Sequence, residues 1–442
     1  MQAELLIKAR WVAPVDPPKL LPDHAVAIAD GRVTAVLPTA EAEQSIEARQ
    51  VIERDSHLLI PGLVNAHTHA AMTLLRGYAD DLPLDTWLQK HIWPAETRWV
   101  STDYVRDGTL AAVAEMLEGG TTTFADMYFF PGSAIEAALE LGQRIVSGII
   151  VIGFPSKYAA DAQEYLDKGL ALNDRYRAHP LVSFMFAPHA PYTVDEATLR
   201  KIASYVGEIG LPLQIHLHET AQEVSDSLDQ HGARPLARLA EFGLLGPGFS
   251  AVHMTQMDDA DLDTLARQKA NVIHCPQSNL KLASGFCPVG RLQQAGVNIA
   301  LGTDGAASNN DLDMIGEMRS AALLAKAVAG DPTALSAPEA LHAATLGGAR
   351  ALGLADDIGS LVPGKWADMA AVDMSALRLQ PVYDPLSQLI YACGPEQVSD
   401  VWVAGEQRVN AGRVNGLDTT DLRTRLENWR TRISEGTAHA GT

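Results

Sequence analysis

Cysteine is scarce: Cys275, Cys287 and Cys393 are the whole complement of a 442-residue chain. An odd number at such wide spacings offers neither a CxxC zinc knuckle nor a disulfide framework, and leads to the expectation of a reduced, cytoplasmic protein. Basic charge is also short. Lys and Arg number 34 against 54 Asp and Glu, a net charge of −20 with no basic stripe, so nucleic acid is excluded as a partner. No apolar run approaches the ~18 residues of a membrane span. The opening MQAELLIKARWVAPVD lacks the charged start and long apolar core of a signal peptide, and no membrane association is expected.

What remains is an ordinary globular composition, 47% hydrophobic and 20% charged, with length for a large core. The two ends read alike. AELLIKARWVAP, HAVAIADGRVTAVLP and QVIERDSHLLIPG alternate apolar and polar residues between Asp-Gly and Pro turns, as does VSDVWVAGEQRVNAGRVN near the other end. A polar helix is predicted from about Thr419 to Glu435. Between the ends, eight strand-like runs alternate with amphipathic segments: GLVNAHTH, TTTFADM, RIVSGIIVI, VSFMFAPHA, LPLQIHLHE, FSAVHM, NVIHCP and NIALGTD. Eight βα units imply a closed parallel (β/α)8 TIM-like barrel. An open doubly wound sheet is the alternative, but no Gly-rich phosphate fingerprint follows the first strand. The expected organisation is α/β. A catalytic barrel spans residues 59–361, and a small β-sandwich domain is built from both chain ends, 1–58 and 362–442.

The polar residues fall where such a barrel carries chemistry, at the C-terminal ends of its strands. Strand one ends in His67 and His69, strand four near His189, and strand five in His216, His218 and Glu219. Strand six ends at His253, strand seven carries His274, and strand eight ends in Asp304. Side chains two apart on a strand face the same way, so His67 and His69 can meet one metal, as can His216 and His218. Imidazole and carboxylate suit Zn²⁺, and a catalytic site leaves one position open for water.

PGLVNAHTHAAM, HLHET, AVHM, HCPQSNLKLASG and GTDGAASNN, in this order, resemble the amidohydrolase superfamily, in its branch of cytosine, guanine and adenosine deaminases and triazine chlorohydrolases. The resemblance spans nearly the whole chain. It implies a mononuclear site with His67, His69, His216 and Asp304 holding one divalent ion per subunit; Zn²⁺ is favoured and Fe²⁺ fits the same ligands. Binuclear relatives bridge two metals with a carboxylated lysine on a middle strand. VSFMFAPHA has His189 and no lysine, and Lys157 lies in the loop after strand three, so one metal is expected. Asp304 would also act as the base that takes a water proton, and Glu219 as the proton shuttle to a ring nitrogen. His253 would stabilise the attacking oxygen. His218 is expected in a supporting role, and His274 and Cys275 in packing.

The stretch DDLPLDTWLQKHIWPAE, which follows strand one, resembles the deaminases of 5′-methylthioadenosine and S-adenosylhomocysteine. That resemblance implies hydrolytic deamination of the 6-amino group of an adenosine-type nucleoside. Glu96 would hold the ribose hydroxyls and His189 would contact the nucleoside. Trp87 and Trp93 in the same stretch either wall an apolar pocket for a thioether or anchor the loop. A guanine or pterin deaminase, or a triazine-type hydrolase, is the alternative on the same site. A homocysteine carboxylate would need a cation. Arg144, Arg175 and Arg177 are available, but nothing in the sequence assigns one. The partner is a small-molecule nucleoside, and the resemblance leaves homo-oligomerisation open.

Overall fold

The computed structural model describes residues 1–438. Its sixteen strands form two eight-stranded sheets. One is made from both ends of the chain: β1 (Gln2–Val12), β2 (Leu21–Ala29), β3 (Arg32–Pro38), β4 (Glu47–Pro61), β13 (Met369–Asp373), β14 (Val398–Val403), β15 (Glu406–Asn410) and β16 (Arg413–Val414). The other is the central run: β5 (Leu63–Thr68), β6 (Thr121–Asp126), β7 (Arg144–Val151), β8 (Val182–Pro188), β9 (Leu213–Leu217), β10 (Phe249–His253), β11 (Asn271–His274) and β12 (Asn298–Leu301). These are the eight strand-like runs of the sequence, parallel and in chain order. They read as near-continuous apolar stretches because helices cover one face and the barrel interior the other; β5, β6 and β7 are buried at every position.

Barrel closure between β12 and β5 combines a backbone hydrogen bond, from the Asp304 N–H to the His67 carbonyl at 3.0 Å, with side-chain contacts. Asn65 Nδ2 donates to Thr303 Oγ1 at 2.7 Å, and the Thr303 N–H donates to Asn65 Oδ1 at 3.0 Å. Gly302 permits this approach, since a Cβ there would lie 2.8 Å from the His67 nitrogen. The covering helices start and stop on local chemistry. In Glu196–Ile209, the Asp195 side chain accepts from Thr198 N, and Gly210 ends the helix at φ +77°.

The terminal sheet is mixed. β1 pairs in parallel with β4 and antiparallel with β2, and β4 pairs antiparallel with β13. It curls until its ends meet: the turn at Gly31 touches Ala404, and Trp402, Met369, Ile28 and Ile7 share one buried cluster. A buried ion pair joins it to the barrel. Arg144, at the start of β7, places Nε 3.0 Å from Asp368 Oδ2, and Asp368 also accepts the Ala404 N–H. Arg144 therefore stands at the strand's N-terminal end, opposite the histidine-bearing rim, and cannot reach a carboxylate bound there. Arg177 is likewise spent at the surface, on Asp174.

The predicted C-terminal helix runs Thr419–Ala438. It packs on the helix Thr102–Glu118, with the Trp429 indole donating to Asp107 at 2.9 Å and its ring edge-on to Tyr104. The long β5–β6 connection carries helical turns at Leu84–Trp87, Leu88–Ile92 and Trp93–Trp99. The wide π turn Leu88–Ile92 precedes Pro94, whose missing N–H cannot serve the carbonyl four residues back. This segment forms one wall of the site. Among the described residues no helix is long and apolar enough to cross a membrane, and the three cysteines are buried and unpaired.

Candidate metal centre and substrate pocket

At the C-terminal rim of the barrel, His67, His69, His216 and Asp304 bring ligand atoms within 4.8 Å of one another. Each imidazole is oriented from behind. His69 Nδ1 donates to the Met127 carbonyl at 2.7 Å, His216 Nδ1 to the His189 carbonyl at 2.7 Å, and His67 Nδ1 to Gln214 Oε1 at 3.2 Å. Gln214 is itself held by its own donation to the Ala66 carbonyl. A carbonyl only accepts, so each neutral ring carries its proton on Nδ1 and turns a bare Nε2 inward.

The inward atoms then sit too close for neutral company. His67 Nε2 and His216 Nε2 are 3.2 Å apart, His69 Nε2 is 3.2 Å from Asp304 Oδ1, and His67 Nε2 is 3.6 Å from it. Facing lone pairs at such distances repel unless a cation lies between them. The edge of a tetrahedral Zn²⁺ shell with ligands near 2.0–2.1 Å is about 3.3 Å, so the donor set fits such an ion. Protonation shows the same appetite for positive charge. Burial works against the His69 imidazolium, but the Asp304 carboxylate outweighs it and holds the ring up to about 9. Burial works against the Asp304 carboxylate too, yet the two histidines hold it well below the usual range. His216, with no such anion against it, is pushed well down by burial and by its histidine neighbours.

Asp304 is fixed tightly. It sits at φ +63°, a left-handed conformation that L residues rarely adopt. Its N–H donates to the His67 carbonyl, while Ser278 and Ser308 hydroxyls donate to Oδ2 at 2.7 and 2.9 Å. Oδ2 is thereby occupied, and Oδ1 faces the histidines.

Glu219 and His253 stand beside this group. His253 Nδ1 donates to Asn279 Oδ1 at 2.8 Å, and its Nε2 lies 3.8 Å from Glu219 Oε2. Burial, helped by the Asp304 charge, raises the Glu219 carboxyl to about 8, so it carries a proton at neutral pH. His218 turns away. The strand ends at Leu217, and His218 at φ +51° breaks the two-residue alternation. Its Nε2 accepts from Leu236 N, and its Nδ1 lies 3.5 Å from Asp261. It ties the helix Pro235–Glu241 to the barrel instead of facing the cluster.

A cavity of about 440 Å³ opens over the cluster, within the range of small-molecule sites. Its rim holds His69, His189, His216, Glu219, His253 and Asp304, and its far wall holds Trp87, Trp93, Phe154 and Glu96. Trp87 is buried, and Trp93 meets Phe154 edge-on at 5.9 Å. His189 donates Nδ1–H to Thr193 Oγ1 at 2.9 Å, which leaves Nε2 to accept from a ligand; burial pushes its pKa down to about 3, so the ring stays neutral. Glu96 is 8% exposed and accepts from the Tyr128 hydroxyl at 2.6 Å. Burial raises it to about 7 against the pull of that hydrogen bond. Lys157 lines the mouth, its ammonium on the Arg98 carbonyl.

Several working side chains escaped the sequence reading: Gln214, Ser278, Asn279, Ser308 and Tyr128. Most lie in quoted motifs without a spacing that announces a role. Tyr128 had a usable signal, since it follows the polar end of β6, where Asp126 occupies a strand-end position like those of the histidines.

The chain also has well-matched counterparts. The amidohydrolase family profile matches residues 58–408. A 5-methylthioadenosine/S-adenosylhomocysteine deaminase of Teredinibacter turnerae is 49% identical over 428 residues, 97% of each chain. One of Saccharophagus degradans is 47% identical over 432 residues, covering 98% of this chain and 97% of that one. The solved structure of an adenosine deaminase from Xanthomonas campestris with bound zinc superimposes with a TM-score of 0.97 at 50% identity, covering 98% of this chain and 99% of that one.

Proposed function

The chain belongs to the amidohydrolase family, and from that premise we propose that it deaminates 5′-substituted adenosines, converting 5′-methylthioadenosine and S-adenosylhomocysteine to their inosine analogues. It is a hydrolase acting on C–N bonds, and its partner is a small nucleoside. The reading assigns catalysis to the barrel, 59–361, and support to 1–58 and 362–442. His67, His69, His216 and Asp304 would hold one divalent ion, Zn²⁺ by preference for this imidazole-rich donor set and by the likeness to a zinc-bearing relative. When bound, such an ion supplies Lewis acidity and lowers the pKa of a water it coordinates.

The side chains do the rest. Glu219, protonated at neutral pH, gives its proton to the ring nitrogen beside C6 and makes that carbon electrophilic. A C–O bond forms to water, and Asp304 takes the proton released. His253, tethered by Asn279, stabilises the attacking oxygen. Asp304 returns its proton to the amino group, the C–N bond breaks, and ammonia leaves. The proton of the new hydroxyl passes back to Glu219 as the carbonyl forms, which restores both groups.

The observation that carries the nucleoside reading is Glu96, a buried carboxylate on the cavity wall with one hydrogen-bond donor among the described residues. Its remaining oxygen suits two vicinal hydroxyls. Trp87, Trp93 and Phe154 supply an apolar sleeve for a thioether, and His189 an acceptor for the nucleoside.

The test is the absorbance change of adenine-to-hypoxanthine conversion, with ammonia release, for methylthioadenosine, adenosylhomocysteine, adenosine, guanine and a pterin side by side. Preference for the 5′-thio nucleosides is expected. Turnover of guanine or the pterin with none of the nucleosides overturns the proposal.

A further inference from the structure

One three-residue stretch at the end of β6 touches both halves of the site. Asp126 Oδ1 accepts the Ala70 N–H at 2.8 Å, fixing the chain just beyond His69. The Met127 carbonyl takes His69 Nδ1–H, and the Tyr128 hydroxyl donates to Glu96. Glu96 arrives from another direction, on the turn Trp93–Trp99 that the long β5–β6 connection lays over the barrel. Nothing covalent near the site sets its distance from the metal donors. The 2.6 Å hydrogen bond from Tyr128 does so directly, because Tyr128 is rooted beside the residue that orients His69.

We propose that Tyr128 is a positioning residue for ribose recognition: it saturates one oxygen of Glu96, points the other at the substrate's vicinal hydroxyls, and locks that anchor at a set distance from the reacting ring. The inference rests on the nucleoside reading above. The surroundings of Glu96 leave Tyr128 little competition. Tyr104 is buried behind it, its hydroxyl close to that of Tyr128 and facing the pair from the rear, and His69 is the nearby basic ring acting on Glu96. Tyr128 is 3% exposed, so solvent does not substitute for its hydroxyl. Tyr104 is in turn braced by Trp429 of the C-terminal helix, which stiffens the back of this pair.

The consequence is a split that a purely structural tyrosine does not produce. Tyr128→Phe keeps the ring and its packing and removes the hydroxyl, leaving Glu96 loose and without its donor. Hydrogen bonds to charged groups are strong enough that KM for methylthioadenosine should rise about tenfold or more. The kcat should stay within about threefold of the parent, since the reacting end is untouched. The 2′,3′-dideoxy analogue offers Glu96 no diol, so its KM should be the same for both proteins.

The experiment measures kcat and KM for methylthioadenosine and its 2′,3′-dideoxy analogue with the parent, Tyr128→Phe and Glu96→Gln, together with metal content. A diol-specific rise in KM for both variants supports the proposal. A diol-specific rise for Glu96→Gln alone overturns it while the ribose-binding reading of Glu96 stands. No diol-specific effect for Glu96→Gln overturns that reading, and the inference with it. A Tyr128→Phe enzyme that loses metal, or whose KM rises equally for both substrates, places Tyr128 in the general scaffold and also overturns the proposal.

Discussion

Glu219→Gln tests the chemistry most sharply, because Glu219 and the metal donors are neighbours with separable jobs. The carboxyl is buried at 7% exposure, 3.8 Å from His253 and within a weak 3.4 Å hydrogen bond of Ser284. It lies outside the four-residue donor group. Glutamine keeps the shape and loses the transferable proton. General acid–base groups contribute about 10²–10⁴-fold, or about 2.7–5.5 kcal/mol at 1.36 kcal/mol per decade. The buried setting argues for the upper part of that range, since solvent has poor access to replace the proton. The assay pairs single-turnover and steady-state deamination with elemental analysis: turnover should collapse while zinc stays near one per chain. A pH profile adds an independent reading. On the proposed role the acid form of Glu219 is the active one, and burial holds its pKa at about 8; a bound dication would pull it down. The parent's kcat should therefore fall as pH rises, through a limb at or below about 8. Residual activity of the glutamine variant should lack that limb. Turnover within about threefold of the parent, or loss of the metal, refutes the assignment.

The other expectations are more structural. Asp368→Ala strands Arg144 without its partner and removes the acceptor of the Ala404 N–H, which should cost about 3–5 kcal/mol in urea unfolding. Adding Arg144→Met should recover much of that loss, and KM for adenosylhomocysteine should not change in the double variant, because Arg144 stands at the far end of the barrel. Gly302→Ala puts a Cβ 2.8 Å from the His67 backbone nitrogen, so the His67 backbone or β12 must shift; zinc affinity measured by competition with a chelator should fall about 10–100-fold. Stripping the metal should abolish turnover and lower the thermal midpoint, with both restored by Zn²⁺, since an ion bound at about 1,000 times its Kd stabilises by about 4 kcal/mol. An unchanged midpoint would count against the four-residue donor set.

The barrel was legible because its signal is local. Eight apolar runs bounded by turns suffice to announce eight buried parallel strands, and all eight appear in order. The paired histidines were legible for the same reason: β5 ends at Thr68, but His69 follows it at φ −123°, extended enough to keep the alternation that sets it on the side of His67. The same rule failed at β9. His216 and His218 share the spacing, but β9 ends at Leu217, and a left-handed φ sends His218 toward Asp261. The backbone conformation just past a strand end depends on what packs beyond it, which the spacing does not record. Arg144, left unassigned among three arginines, shows the same limit. An arginine next to a barrel strand looks available for a substrate carboxylate until the fold shows which end of the strand it occupies.

By itself the sequence determined the strand and helix periods, the two β-rich ends, and the residue types at the strand termini, because these depend on side chains a few positions apart. Tertiary structure alone decided the rest. It brought the rings of His67 and His216, 149 residues apart in the chain, within 3.2 Å of each other and turned each Nε2 inward by a hydrogen bond from another strand or loop. It also set Tyr128 against Glu96 across the cavity wall. A site of this kind is a set of distances between elements. Those distances come from closing the barrel and curling the terminal sheet against its base, where long-range burial outweighs any local preference.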